Sequence, residues 1–349
     1  MKRKTLIASG LSLALGLSVT SCANLGGLNL DTVGAEDQTT YVKLALNQTE
    51  SHPSYIALDN FAQRFEERTD GRWAIEIFPN EQLGSQQEVV QFISSGAIEM
   101  AIVSGTQLEN LNKDFQVLNM PTTFGSIEHQ METIRDQELM EPLFSSLEDR
   151  DNITVIGGFT QGTRSVYTKD GPVTVPADLA GEKIRVQESD MHIRMVQLMG
   201  ASATPLSYGE VYTAIQSGVL DGAENNEVSY VTQKHSEVAP YFSRTEHLVG
   251  LDYMIMRSDL RDAMSETDRA IFDEEWDKAM TEHTELWAVE TEEAIADAES
   301  SGATFTDVDA DAFKEALAPI REEFLTTDFQ NTLFDDIRAT DPAETGDQS

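Results

Sequence analysis

The sequence predicts an α/β fold divided into two lobes, and three observations carry that prediction. From Tyr41 onward, strand-like and helix-like segments alternate without a repeat period, the pattern of α/β lobes with a largely parallel sheet. The chain has 349 residues, 40% of them hydrophobic, enough apolar mass and length for two domains. One stretch, residues 265–301, keeps helical periodicity for longer than a single lobe needs.

The elements follow in order. Tyr41 to Leu46 alternates as a short strand. Ser54 to Arg68 places Ile56, Leu58, Phe61, Ala62 and Phe65 at helical spacing, and Trp73 to Phe78 alternates again. Pro79, Asn80 and Gly84 mark a turn, followed by a helix from Gln86 to Ser95 and an apolar strand from Met100 to Val103. Further units are a helix over 127–138, strands Thr154 to Gly158 and Lys183 to Val186, a helix over 190–199, a strand Ala203 to Pro205 and a helix Tyr208 to Ser217. Between Ser265 and Ser301, Phe272, Trp276, Ala279, Met280, His283, Trp287, Ala294 and Ala298 keep near a 3.6 period, with Ser265 and Asp268 in capping-box spacing and Gly302 as a stop. A helix that long reaches about 55 Å at 1.5 Å per residue, enough to lie across both lobes; a bent pair of helices is the other reading. Residues 340–349 read as a disordered tail.

Composition excludes several functions. With 61 Asp and Glu against 24 Lys and Arg, a formal charge of −37 and a pI near 4.3, the chain lacks the basic stripe that a nucleic-acid binder needs. One Cys rules out a disulfide framework and a zinc ribbon. The acidity fits a protein kept soluble at high salt, or simply an acidic surface. Residues 1–21 read as an export signal: Lys2, Arg3 and Lys4 precede an apolar run from Leu6 to Leu17 that is too short to span a bilayer. The small residues before Cys22 resemble a bacterial lipobox, so Cys22 is expected to carry a lipid anchor, an ordinary signal peptide being the alternative. Residues 22–38 would then be a tether.

No catalytic constellation is evident. The six His residues (His52, His129, His192, His235, His247, His283) include no i, i+4 zinc-hydrolase pair, and no Gly-x-Ser-x-Gly elbow occurs. Gly157 to Arg164, GGFTQGTR, has the glycine spacing of a phosphate-cradling loop, but Thr163 stands where that loop needs Lys. No metal or cofactor is implied. Two Arg residues of the second lobe stand out instead. Arg164 follows one strand, and Arg185 lies within another, where its planar fork is suited to a carboxylate. Pairing with one of the 61 acids is the competing fate, and spacing alone does not decide between them.

Two long motifs do carry a resemblance. KIRVQESDMHIRMVQLMGASATPLSYGEVYTAIQSGVLDGAENN, residues 183–226, resembles the signature of the solute receptors of TRAP transporters (the DctP family), and FPNEQLGSQQEVVQFISSGAIEMA, residues 78–101, is similar to the same family's first-lobe motif. TQGTR at 160–164 and the long helix also fit, so the likeness covers about residues 41–325. It implies two α/β lobes hinged around a cleft: lobe I as residues 39–161 and 251–290, lobe II as 162–250 and 291–339, with a hinge near 160–163 and 248–252. It also implies that Arg185 clamps a solute carboxylate, with Arg164, Asn225 and Asn47 as further contacts. Sialic-acid-type members carry an acid where this chain has Ser104, which argues against that ligand.

SDM after KIRVQE and the run AENNEVSYVTQKHSEVAPYFSRTEH, residues 223–247, look most like the hexuronate-binding subgroup, although Glu227 and Val228 replace its usual Trp or Pro after ENN. Glu88 and Asp190, if they face the cleft, would accept bonds from sugar hydroxyls and repel the far carboxylate of a dicarboxylate. Gln187 and His52 are weaker candidates for ligand contact, and Tyr230 and Phe124 are expected in the core. The expected function is a periplasmic, lipid-anchored receptor that catalyses nothing and hands a glucuronate- or galacturonate-type acid to a membrane permease. A receptor for a C4 dicarboxylate, keto acid or ectoine, a uronate-acting enzyme and a sensor partner are the alternatives.

Overall fold

A computed structural model describes residue 28 and residues 30–35 and 38–342. The export signal, Cys22 and residues 343–349 lie outside the described residues. Among the described residues nine strands form one sheet: β1 Thr40–Ala45, β2 Trp73–Phe78, β3 Met100–Ser104, β4 Ile153–Thr168, β5 Lys183–Val186, β6 Ser202–Pro205, β7 Gly222–Asn225, β8 Tyr241–Arg257 and β9 Thr304–Asp307. Their order is β2-β1-β3-β8-β4-β7-β5-β6, with β9 on β8. Pairing is parallel within β2-β1-β3 and within β7-β5-β6. It turns antiparallel at β3-β8, β8-β4 and β4-β7, where the two halves join. The architecture is thus an α/β two-lobed fold whose lobes share the pair β4 and β8.

These two strands run far beyond what the sequence pattern indicates. Only Thr154 to Gly158 reads as strand, because β4 is buried on both faces for most of its length and so shows no alternation. The register of β4 against β8 shifts between Val155 and Gly157, between Thr160 and Thr163, and between Arg164 and Val166. The glycines of GGFTQG serve packing here, not phosphate. A Cβ on Gly157 would stand 2.8 Å from Trp276 Nε1, and one on Gly162 (φ +61) 2.5 Å from Trp287 Nε1.

Those tryptophans belong to the long helix, Glu266–Ser300, which is continuous. Ser265 caps it, its side chain accepting from Asp268 N–H at 3.0 Å. The reciprocal bond is not made: the Asp268 carboxylate accepts from Arg72 at 2.6 Å and from Trp73 Nε1 at 3.1 Å. At its N-terminal half, Phe272 and Trp276 meet Phe61 of α1 (Pro53–Arg68) edge-on at 5.2 and 5.8 Å. Full burial of aromatic side chains like these is worth about 1.5–3 kcal/mol each. Buried Glu275 adds ionic contacts to Arg64 and Arg68 at 2.8 and 2.6 Å. At its C-terminal half, Ala294 packs with Val228, and Ala298 joins the cluster of Tyr230 and Phe242. One rigid rod therefore touches both lobes.

Four expectations change at the ends and boundaries. Leu28, Leu30 and Val33 pack on the core, so the described part of the tether 22–38 is docked. Thr340 and Asp341, assigned to a disordered tail, are anchored: Thr340 Oγ1 lies 3.1 Å from His129 Nε2, and buried Asp341 accepts from Arg338 at 2.5 Å. The helix over 127–138 breaks at Asp136, which caps a second helix, Gln137–Phe144. Finally, the helix Asp328–Ala339, expected in lobe II, makes a contact to lobe I, Ile337 O lying 3.0 Å from His129 Nε2.

Candidate functional site

The two lobes meet along a polar seam. Ser104 and Thr106 hydroxyls donate to Gln187 Oε1 at 2.6 and 2.9 Å, Ser189 Oγ donates to Glu109 at 2.7 Å, and Gly209 N–H donates to Glu81 Oε2 at 3.1 Å. Two small cavities of about 10 Å3, roughly the room for one water, lie beside the seam. One is lined by Asn47, Glu81 and Gln86; the other by Glu81, Gln86, Gln107, Arg185, Gln187 and Tyr208. A wider cavity of about 850 Å3 lies between Thr163, the segment Thr245 to Val249, Phe313 and Phe334. It contains none of the eight candidate ligand-contact residues, and its Arg321 and Arg338 are already paired with Asp335 and Asp341.

Arg164 and Arg185 are both buried, yet their surroundings differ. All five N–H donors of Arg164 are taken: Nε and Nη2 by the two Glu224 carboxylate oxygens at 2.6 and 2.7 Å, Nη2 also by Glu224 O, and Nη1 by Gln161 Oε1 at 2.6 Å and Asn225 Oδ1 at 2.8 Å. Burial acts to lower its pKa, but the Glu224 charge outweighs burial and raises it. Burial likewise acts to raise the Glu224 carboxyl, and Arg164 brings it well below the carboxylate range. His247 Nε2 stands 3.5 Å from Glu224, and Gln161 extends the network to Asp252, whose carboxyl is pushed up to about 6 by burial.

Arg185 makes one hydrogen bond, from Nε to Leu206 O at 2.8 Å, with its guanidinium over the Tyr208 ring at 5.7 Å. Among the described residues its Nη1 and Nη2 have no acceptor, and burial lowers its pKa. Strand β5 fixes its position, with Arg185 in register with Thr204 on one side and Ala223 on the other. Two positions along the neighbouring strand β7, Asn225 turns Oδ1 to Arg164 and to Asn226 N–H, which leaves its Nδ2 free to donate. Buried His192 lies nearby with no partner on either ring nitrogen among the described residues, its pKa lowered to about 3 mainly by burial.

The other candidates divide. Asn47 and Gln187 line the cleft cavities, and Asn47 Oδ1 is buried without a partner among the described residues. Glu88 does not: it is exposed, and its carboxylate accepts from Ser85 N–H and Oγ at 2.9 and 2.8 Å to cap α2 (Gln86–Ser94). Asp190 is exposed as well, 3.6 Å from Lys113. Both sit in first helical turns, where a carboxylate is favoured by the free N–H groups. His52 caps α1 through Nδ1 at 3.1 Å and stacks edge-on against Trp287 at 5.6 Å, a structural position under the long helix. Tyr230 and Phe124 are buried in the core. The sequence does not single out Glu224, Gln161 or Glu81, although Glu224 directly precedes Asn225 in the motif string.

A two-lobed α/β chain with a polar cleft and an unsatisfied buried guanidinium in it defines a solute-binding protein. The chain belongs to the family described as bacterial extracellular solute-binding protein, family 7 (DctP), which matches residues 44–328. Membership makes it a transport receptor and not an enzyme. A solute-binding protein of Chromohalobacter salexigens is 34% identical over 276 residues, 79% of this chain and 82% of that one. A TRAP periplasmic solute-binding protein from Anaerococcus prevotii, solved with bound α/β-D-glucuronate, is 35% identical at a TM-score of 0.84, covering 86% of this chain and 98% of the other. One from Bradyrhizobium, in complex with α/β-D-galacturonate, is 27% identical at 0.83, covering 86% and 100%.

Proposed function

We propose that this chain is the receptor of a TRAP transporter for a hexuronic acid of the glucuronate or galacturonate type. The observation that carries the reading is Arg185: a buried guanidinium at the seam between two lobes, with both terminal nitrogens open among the described residues and Asn225 two positions along the neighbouring strand from its register partner Ala223. A planar carboxylate offers two acceptors to that fork, and in a dewatered cleft such a paired contact is strong. The Anaerococcus and Bradyrhizobium proteins, each with a bound hexuronate, support the same ligand class.

The cavities at the seam are too small for a hexose, so entry requires the lobes to part. The irregular register of β4 against β8 between Thr160 and Thr163 supports a hinge there, near residues 160–163 and 248–252. Delivery to a membrane permease and anchoring through lipidated Cys22 complete the proposal. A thermal-shift series tests the ligand class: a solute at 100 times its Kd adds about 2.7 kcal/mol. Hexuronates are expected to raise the melting temperature and C4 dicarboxylates to leave it unchanged. A shift with succinate or malate and none with either hexuronate would replace this reading with that of a dicarboxylate receptor.

A further inference from the structure

Glu81 lies in the turn that follows β2. Asn80 and Glu81 both adopt left-handed backbone, φ 54 and 55, unusual for two consecutive non-glycine residues. The turn is pinned to the segment just beyond β1, Asn80 N–H donating to Gln48 O at 3.0 Å and Glu81 N–H to Leu46 O at 3.1 Å. Strain of this kind persists where the surrounding structure imposes it, and here it carries a carboxylate into the cleft.

Once there, the two oxygens differ. Oε2 reaches across the seam to Gly209 N–H at 3.1 Å, an approach that glycine permits, since a Cβ would stand 2.7 Å from that oxygen. Oε1 is buried and has no partner among the described residues. Glu81 and Arg185 line the same small cavity without forming an ion pair. Burial raises the Glu81 carboxyl, with Gly209 N–H and Arg185 opposing.

Resting on the hexuronate reading above, we propose that Glu81 is the specificity-determining acid of this cleft. Oε1 accepts a hydrogen bond from a solute hydroxyl while Oε2 keeps the lobe contact to Gly209, and a solute bearing a second carboxylate at that end is turned away. A buried acceptor discriminates in both directions: it is left unpaired by a ligand without the hydroxyl, and it repels a like charge. This is the role that the sequence pattern assigns to Glu88 and Asp190, which the fold commits to helix ends.

Isothermal titration of the wild type, Glu81→Gln and Glu81→Asp with glucuronate, galacturonate and the corresponding aldaric acids tests the assignment. The wild type alone tests the hexuronate reading, which falls if no hexuronate binds; the ratio of variant to wild type tests Glu81. Glu81→Gln is expected to lose about 10-fold in hexuronate affinity and to narrow the preference for hexuronate over aldarate by a similar factor. Glu81→Asp keeps the charge and should keep the rejection of aldarates, which preserves the test if the Gln variant fails to fold. Native hexuronate affinity and native preference in a folded Glu81→Gln protein would overturn the proposal, as would a Glu81→Asp variant that binds aldarates tightly.

Discussion

Arg164 and Arg185 come from the same lobe and are almost equally hidden from solvent, yet one is fully spent on the protein and the other is not. The first spends every donor on Glu224, Gln161 and Asn225, while the second spends one on a backbone carbonyl. Charge follows the same division, the pKa being raised at Arg164 and lowered at Arg185. A saturated guanidinium holds its neighbours in place; an unsaturated one needs a partner from outside the chain. Arg164 thereby orients the Asn225 amide, and the open donors of Arg185 are what the proposed carboxylate contact rests on.

The largest effect that this comparison forecasts is at Glu224. In Glu224→Gln, Arg164 keeps its charge in a buried site without its counter-ion, which costs about 3–5 kcal/mol when one partner of a buried pair is removed. Denaturant unfolding measures it, and a loss below about 1 kcal/mol would mean that Arg164 is not held by this pair. Next is Arg185→Lys. A point cation cannot copy the fork, so solute affinity should fall by about 30-fold or more while the ligand-free protein melts much nearer to wild type than Glu224→Gln does. Calorimetry that finds near-native binding would remove Arg185 from the site and with it the contrast.

How far the sequence reaches can be judged from these residues. Arg185 and Asn225 stand out because their motif is long, Arg164 because the short stretch TQGTR fits beside it, and the long helix because its apolar period survives over 35 residues. The crossover strands are illegible for a physical reason: burial on both faces and three register shifts erase alternation. Glu88 and Asp190 mislead because a carboxylate at a helix start looks the same in sequence whether it caps the helix or faces a ligand. Glu81 is hidden because its placement depends on two left-handed residues and on a glycine 128 positions away, a relation that no local pattern encodes.

A third, smaller effect separates the seam from the buried Arg164 network by pH. Glu109 joins the lobes through Ser189 and also accepts from Asn119, with Gln116, Lys113 and Tyr253 around it; burial raises its carboxyl from 4.5 to about 7. Because the folded value lies above the unfolded one, its contribution is fully present below about 4.5 and is lost as pH rises through about 7. Glu109→Gln should therefore melt a few degrees above wild type at pH 8 and at nearly the same temperature at pH 4.5. His192, held near 3 by burial, acts oppositely, its contribution being present above about 6.5 and lost as pH falls toward 3. A Glu109→Gln advantage that grew toward acid would reverse this assignment.

The smallest expected effect concerns how a solute arrives. Both arginines are buried, so the field an approaching anion meets is that of the whole chain, formally −37. Screening that field, with a Debye length falling from about 10 Å at 0.1 M salt to about 3 Å at 1 M, should speed hexuronate association or leave it unchanged. Stopped-flow rates across that range decide the matter. A steep slowing with salt would mean that Arg185 projects a local positive field beyond the seam, and the distinction between a hidden clamp and an exposed one would have to be redrawn in favour of exposure.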